Sequence, residues 1–278
     1  TGVSIINIET MNVIGATDDN VVSTATGFTG LTALNVTGIE NQTVTAAATT
    51  AITVTETGLT TGDTVTVDGG SSITVNSTGA GAIADGATGG TITVGATTAA
   101  AGAVTITATE TSALVGNTEE ATAGAINVTG GSTINVTSTL VGTAAAKATV
   151  LTGSVDVGHV GSGISITGDA NTTEVTATQS ATETAVSSAT IGKIGHAAGA
   201  VAVNDANRAS LTEAGTITTV NVTNAGAVTV NSGALSTLNL GGTLTTVNAG
   251  TSGALTTAAV DTLAINLTGA VATGALTV

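Results

Sequence analysis

Apolar and polar residues alternate along most of the chain in a short phrase that recurs many times. The phrase consists of an aliphatic, a polar and a second aliphatic residue, followed by Thr or Asn and often by Gly. Clear copies are 33–38 (ALNVTG), 64–69 (TVTVDG), 91–95 (TITVG), 125–130 (AINVTG) and 219–223 (TVNVT). A period of two is typical of a half-buried β-strand, whose pleated surface suits Val, Ile and Thr. The chain is therefore predicted to be all-β.

The spacing of the phrases indicates how the strands are arranged. The second aliphatic residues lie 8 positions apart from Val67 to Val75 and 19 apart from Val75 to Val94. Short steps that alternate with longer, Gly-rich ones are typical of the coils of a solenoid with two or three short strands per coil. We therefore predict a β-solenoid, similar to a parallel β-helix, with short strands and Gly-rich turns.

Side-chain size favours the solenoid over its main alternative, a series of tandem β-sandwich domains. The chain has one Phe, no Trp or Tyr, and no Pro. A narrow solenoid core holds small side chains, whereas immunoglobulin-like sandwiches usually bury an aromatic ring. Because Pro is absent, every backbone N–H is available for strand pairing.

The strand rhythm weakens in one part of the chain. From 179 to 215 the phrases are lost, and this stretch contains the single Arg. We predict a β-solenoid segment at 1–178, an insertion or corner at 179–215, and a continuing β-solenoid segment at 216–278. Because the sequence opens on Thr1 and stops within a strand phrase, we expect it to be a piece of a longer protein.

The charge balance excludes several kinds of partner. Three Lys and Arg residues stand against 18 Asp and Glu residues, which gives a net charge of −15. So few cations cannot neutralise a run of phosphates, so no nucleic-acid partner is expected. Without Cys there is no disulfide framework or zinc–thiolate site. No run of about 18 apolar residues is present, so membrane insertion is not expected.

The residues needed for catalysis are scarce. The two histidines, His159 and His196, have no neighbouring ligand at zinc-site spacing, and neither a nucleophile elbow nor a phosphate-binding loop is present. A polysaccharide-acting β-helix enzyme would need clustered carboxylates and aromatic rings, and Phe28 is the one ring available. We therefore predict no enzymatic activity, no catalytic residues and no organic cofactor.

Carboxylates and asparagines concentrate at predicted strand ends and turns, which suggests calcium binding. Asp-x-Asn places two oxygen ligands on one side of a turn, and calcium takes 6–8 such oxygens. A counterion would also relieve the repulsion within a strongly acidic chain. The alternative is that Asp and Asn are simply good turn residues. The candidate calcium ligands are Asp18, Asp19, Asn20, Asp68, Asp169, Asn171, Asp205 and Asn207.

Several phrases carry a family resemblance. They are 8–13 (IETMNV), 27–35 (GFTGLTALN), 67–70 (VDGG), 124–131 (GAINVTGG) and 234–240 (ALSTLNL). They resemble the lattice-forming portion of RsaA-type S-layer proteins, which are RTX-related surface proteins exported by type I secretion in Gram-negative bacteria. The resemblance implies a calcium-stabilised β-solenoid that tiles a two-dimensional array, with a separate N-terminal domain that grips cell-surface polysaccharide. The RTX repeats of the family are absent from these residues.

The sequence thus leads to a structural hypothesis and an alternative. The first is an extracellular, cell-surface β-solenoid that assembles with copies of itself into an S-layer lattice or surface filament, aided by calcium. The alternative is the stalk or passenger of a secreted adhesin, which presents a ligand-binding domain at its far end.

Overall fold

The computed structural model describes residues 5–23, 28–83, 87–113, 122–143, 155–158, 160–161, 163–184, 191–195, 201–205, 216–232, 235–249, 264–268 and 276–277. Over these residues the secondary structure consists of β-strands and turns, without a helix. The prediction of an all-β protein is confirmed for this part of the chain. Nor does this part contain a helix with the length and apolar character of a membrane span.

The first eleven strands are β1 (Ile5–Ile6), β2 (Thr10–Val22), β3 (Phe28–Thr29), β4 (Ala33–Ala46), β5 (Ala51–Glu56), β6 (Thr64–Gly69), β7 (Ser72–Ile83), β8 (Thr91–Val94), β9 (Val104–Ala113), β10 (Thr122–Ala123) and β11 (Ile126–Thr129). The remaining strands are β12 (Thr133–Thr143), β13 (Val155–Gly158), β14 (Val160–Gly161), β15 (Ile164–Gly168), β16 (Glu174–Thr184), β17 (Ile191–Gly195), β18 (Val201–Asp205), β19 (Thr219–Asn231), β20 (Thr237–Ala249), β21 (Ala264–Thr268) and β22 (Leu276–Thr277).

Sixteen strands form one long sheet in which neighbouring strands run parallel. The sheet has two ladders. The first ladder contains β5, β7, β9, β12, β16, β21 and the first parts of β2, β4, β19 and β20. The second ladder contains β6, β8, β11, β15, β18, β22 and the second parts of the same four long strands.

The chain therefore passes from the first ladder to the second and back, adding one strand to each in turn. The long strand β4 runs through both ladders, since its first half pairs with β5 and its second half with β6. This arrangement is consistent with a β-solenoid or parallel β-helix, although the sheet does not close on itself. It does not agree with tandem sandwiches, whose sheets are antiparallel.

The core consists of aliphatic side chains stacked in register along each ladder. Alternate residues of each strand point inward, and their partners in successive coils are of the same type. Burying each of the larger aliphatic side chains contributes about 1.5–3 kcal/mol. One such column, buried throughout, is Val36, Val54, Val75, Ile106, Val136, Ala177, Val222 and Leu240.

The outward positions of the first ladder carry mainly Thr and Asn, and some of the Asn side chains bond from one coil to the next. Asn35 Nδ2 donates to Asn12 Oδ1 at 2.8 Å. Asn239 Nδ2 donates to Asn221 Oδ1 at 2.7 Å. Asn221 Nδ2 in turn donates to Thr176 Oγ1 at 3.1 Å. The recurring Asn of the sequence phrase thus forms side-chain hydrogen bonds between coils on the outer face of the ladder, in addition to the backbone hydrogen bonds of the sheet.

The predicted division at 179–215 stays a prediction. The described parts of this stretch are strands: the end of β16, β17 and β18. β18 belongs to the second ladder, where it pairs with β15 and β19. The end of β16 and β18 therefore belong to the long sheet, whereas β17 pairs with β13 in a separate two-stranded parallel sheet.

Candidate functional site

Asp68, a predicted calcium ligand, lies near the end of β6 and is buried. Its Oδ1 accepts hydrogen bonds from the backbone N–H of Thr97 at 2.8 Å and of Thr98 at 3.2 Å. These two residues form the turn after β8, in the next coil. A carboxylate that accepts two backbone N–H groups is a strong acceptor. Asp68 therefore joins the turns of two successive coils.

Asp169 and Asn171, two further candidates, lie in the turn after β15. Asp169 Oδ1 accepts the backbone N–H of Asn171 at 2.8 Å, which is the bond of an Asx turn. The Asp169 backbone N–H donates to Thr172 Oγ1 at 2.9 Å. Thr172 Oγ1 donates to the Gly131 carbonyl of the preceding coil at 2.6 Å. Asp169 therefore stabilises its own turn, which is the role expected if Asp and Asn are simply good turn residues.

The next candidate, Asp205, is described by its position in a strand. Asp205 is the last residue of β18 and pairs with Gly168, so it lies one coil away from the Asp169 turn. Asn207 lies outside the described residues.

The prediction that 18–20 form a turn or strand end is wrong. Asp18, Asp19 and Asn20 lie inside β2, where the strand passes from one ladder to the other. The pairing register of β2 with β4 shifts between Thr17 and Asp19. The three polar residues therefore lie at a register shift within one long strand. The pattern of apolar and polar residues does not distinguish such a shift from a turn.

The structure does not bring all the candidates together. Asp68 lies near the end of β6 and Asp169 follows β15, and these two strands are three coils apart, or about 14 Å at the usual strand spacing. The Asp169 turn and Asp205 are the pair in neighbouring coils. Among the residues that the structure describes, no three His, Cys, Asp or Glu side chains group as a metal site would require.

Two buried glutamates were missed by the sequence analysis, and Glu110 is the first. It lies in β9 with its side chain 5% exposed. Its Oε2 accepts the backbone N–H of Gly124 at 2.8 Å, and the N–H of Gly90 in the preceding coil also approaches the carboxylate. Burial raises the pKa of the Glu110 carboxyl, and the two N–H groups oppose part of that rise.

Glu56, at the end of β5, is the second buried glutamate. Its side chain has no exposed surface, and Oε1 accepts the backbone N–H of Gly58 at 2.7 Å. Burial raises the pKa of the Glu56 carboxyl. The backbone N–H groups of Gly58, Glu40 and Thr57 oppose this rise, and repulsion from Asp63 adds to it. Each glutamate thus accepts a backbone N–H of a turn beside the sheet, and its carboxyl group is buried in doing so.

The sequence contained the signal for both glutamates. Glu56 falls on the same side of its strand as Ile52 and Val54, and Glu110 on the same side as Val104 and Ile106. Strict alternation therefore places both carboxyls inside. The preference of Glu for exposed positions concealed them.

Comparison with known proteins does not add to these geometric observations. No protein-family model matches the chain, and a search of curated proteins finds no match. The resemblance to RsaA-type S-layer proteins therefore stays a prediction that rests on the phrases themselves.

Two substitutions at Asp169 separate a calcium ligand from a turn residue. Asp169→Asn keeps an oxygen that can accept the Asn171 N–H but removes the charge, whereas Asp169→Ala removes both. If Asp169 serves the turn alone, the Asn variant keeps its stability and the Ala variant loses about 1 kcal/mol. If it also binds calcium, the Asn variant loses the calcium-dependent rise in melting temperature. Calorimetry with calcium and with EDTA distinguishes the two results.

Proposed function

We propose that this chain is a segment of an extracellular β-solenoid that serves as a structural unit of an S-layer lattice or a surface filament. It would act by contact between copies of itself and would have no catalytic role. Calcium would bridge acidic turns, and a part of the protein outside this sequence would bind cell-surface polysaccharide.

The observation that carries this proposal is the continuity of the two ladders. In both ladders the strands from β2 to β20 stack on one another. Their inward aliphatic side chains form buried columns that continue from coil to coil. A stack of this kind is stiff, and its length grows by one strand spacing per coil. These are the properties that a surface lattice or filament requires of its subunits.

The first coil supplies a surface that suits self-association. In the described part of the chain, β2 pairs on one side, with β4, and its other edge has no strand partner. Ile14 is 86% exposed and Val22 49% exposed on this strand. An open strand edge with apolar side chains is a template on which another chain can pair. We therefore place one subunit contact at β2.

The charge supports a role for divalent cations at such contacts. With a net charge of −15, like-charged copies repel one another unless counterions intervene. The Asp169 turn and the end of β18 place acidic residues in neighbouring coils. Calcium bound at an acidic edge of this kind would lower the repulsion between two subunits.

An Ile14→Lys variant tests the proposed contact. A lysine on an exposed strand edge opposes edge-to-edge pairing, so we expect the assembled fraction to fall by at least tenfold while the fold is kept. Thr43→Lys, which adds the same charge at an exposed position of β4, is the control and should assemble like the wild type. Sedimentation velocity gives the fractions, and circular dichroism checks the fold.

The same experiment addresses the adhesin alternative. A stalk uses the same stiffness but presents a distant domain without assembling laterally. If the wild-type protein stays monomeric at every calcium concentration tested, the self-assembly proposal fails and the stalk is favoured. If Ile14→Lys and Thr43→Lys assemble equally, the contact is not at β2.

A further inference from the structure

Three buried oxygen atoms belong to side chains of neighbouring coils at the point where the chain leaves the first ladder. They are Gln42 Oε1, Glu56 Oε2 and Ser77 Oγ, and none of them has a hydrogen-bond partner. The side chains of Gln42 and Glu56 have no exposed surface, and that of Ser77 is 2% exposed. Buried polar atoms without partners are rare in folded proteins, and an ion or a water is one explanation for them. We name these three residues the polar corner.

The backbone register places the three side chains in one inward column. Gly38, Glu56 and Ser77 are direct partners in successive coils. A Cβ on Gly38 would overlap the amide of Gln42 and would lie 2.6 Å from its Oε1. The Gln42 amide therefore occupies the place of a side chain at 38, one coil from the Glu56 carboxyl. Successive coils are about 4.8 Å apart, so a small ion between them can reach oxygens of both.

The three atoms cannot all satisfy one another. Gln42 Nε2 donates to the Ile39 carbonyl at 3.3 Å, an arrangement that leaves the amide oxygen for the corner. Glu56 Oε1 is already used by the Gly58 N–H, so Oε2 is left over. A carboxylate oxygen and an amide oxygen accept hydrogen bonds but do not donate them. The corner thus offers several oxygen acceptors and too few donors.

We propose that the polar corner binds one monovalent metal cation, Na⁺ or K⁺, through Gln42 Oε1, Glu56 Oε2 and Ser77 Oγ. Hard cations prefer oxygen ligands of this kind. One carboxylate and two neutral oxygens carry a single negative charge, so a monovalent cation leaves the corner neutral. A divalent cation would leave a buried positive charge, which is costly.

Residues 28–83, which contain the corner, include no Lys, Arg or His. The sequence contains three Lys and Arg residues, at 147, 193 and 208, all remote in sequence from the corner. The charged groups that act on Glu56 include Asp63, which repels its carboxylate. A buried carboxylate without a positive counter-charge disfavours folding. A bound cation therefore stabilises the folded chain, and its binding is measured as a gain in stability.

The test compares the melting temperature in NaCl, KCl and tetramethylammonium chloride at equal ionic strength, with EDTA present throughout. Tetramethylammonium screens the acidic surface equally but is too large for the corner. Above the dissociation constant, each tenfold rise in the binding cation should raise the melting temperature by roughly 3 °C. EDTA keeps any calcium effect at the acidic turns out of the comparison.

Two variants locate the effect. Glu56→Gln removes the charge and keeps an acceptor for the Gly58 N–H, so the difference between Na⁺ and tetramethylammonium should vanish. Ser77→Ala removes one ligand and should weaken the apparent cation affinity at least severalfold. Alanine already stands in this inward column, at Ala108 in the next coil. Ser138→Ala, two coils from Ser77 in the same column, is the matched control and should respond like the wild type.

The outcomes decide the proposal. If the melting temperature is the same in all three salts, the corner holds a water or a proton, and the proposal is overturned. If Glu56→Gln keeps the cation response, the cation binds elsewhere, which overturns it as well. If Glu56→Gln does not fold, Ser77→Ala against Ser138→Ala still decides the result. Anomalous scattering from Rb⁺ at the corner of a soaked crystal gives an independent positive result.

Discussion

A Gly124→Ala variant is expected to be destabilised by about 3 kcal/mol. The added Cβ would overlap the carbonyl oxygen of Gly90 in the neighbouring coil, and both atoms belong to backbone that the sheet holds in place. Any shift that relieves the overlap also disturbs the bond from the Gly124 N–H to the buried Glu110. Chemical denaturation of the two proteins measures the difference in the free energy of unfolding.

The control for this variant is Gly62→Ala. Gly62 has a φ of +92°, but a Cβ there would meet no atom within 4 Å. Alanine at 62 therefore carries the cost of a left-handed backbone alone, about 1 kcal/mol. An equal loss of stability in the two variants would mean that the coils at 90 and 124 do not approach each other as closely as described.

The second expected result is a protein that becomes more stable as the pH is lowered from 7 towards 4.5. The folded state raises the pKa of Glu110 above its ordinary value of 4.5 because the carboxyl is buried. Between the two pKa values the folded state therefore binds more protons than the unfolded state. This contribution to stability is fully present below pH 4.5 and is lost as the pH rises through the pKa of folded Glu110.

A Glu110→Gln variant removes that dependence. At neutral pH it should melt at a higher temperature than the wild type, because no charge is buried, and near pH 4.5 the two should melt alike. Glu9→Gln removes the same charge from an exposed side chain and controls for the general repulsion within the acidic chain. Melting curves across this pH range decide: if Glu110→Gln and Glu9→Gln show the same pH slope, the burial of Glu110 does not govern stability.

The alternation of the sequence was sufficient to predict the strands that carry the repeated phrase and the aliphatic side chains that they bury. Val36, Val54 and Val75 are second aliphatic residues of the repeated phrase, and all three are buried partners in successive coils. When small aliphatic residues occupy every second position of a strand, all of them are excluded from water only if that face of the strand points into the core. The strand direction followed from the same pattern, since stacked copies pair in parallel.

The connections were harder to predict. Partners in successive coils are 18 residues apart from Val36 to Val54 but 45 apart from Ala177 to Val222. The step of 8 residues, as between Val67 and Val75, proves to be the passage from one ladder to the other. Loops of such varied length share no periodicity, because each needs only to return the chain to the next strand.

The buried glutamates and the polar corner were also missed. Glu56 and Glu110 occupy inward positions of the alternating pattern, yet a charged residue is rarely found there. Gln42 occupies the inner column only because Gly38 leaves space for it. Such sites depend on contacts between coils, which the sequence of a single coil does not contain.

Electron microscopy of the purified protein with calcium, and again after EDTA, tests the central claim most directly. The account predicts sheets or filaments of stacked solenoids in calcium, which loosen into separate rods when calcium is removed. Dispersed single particles under both conditions would contradict it, as would compact modules built from two separate antiparallel sheets.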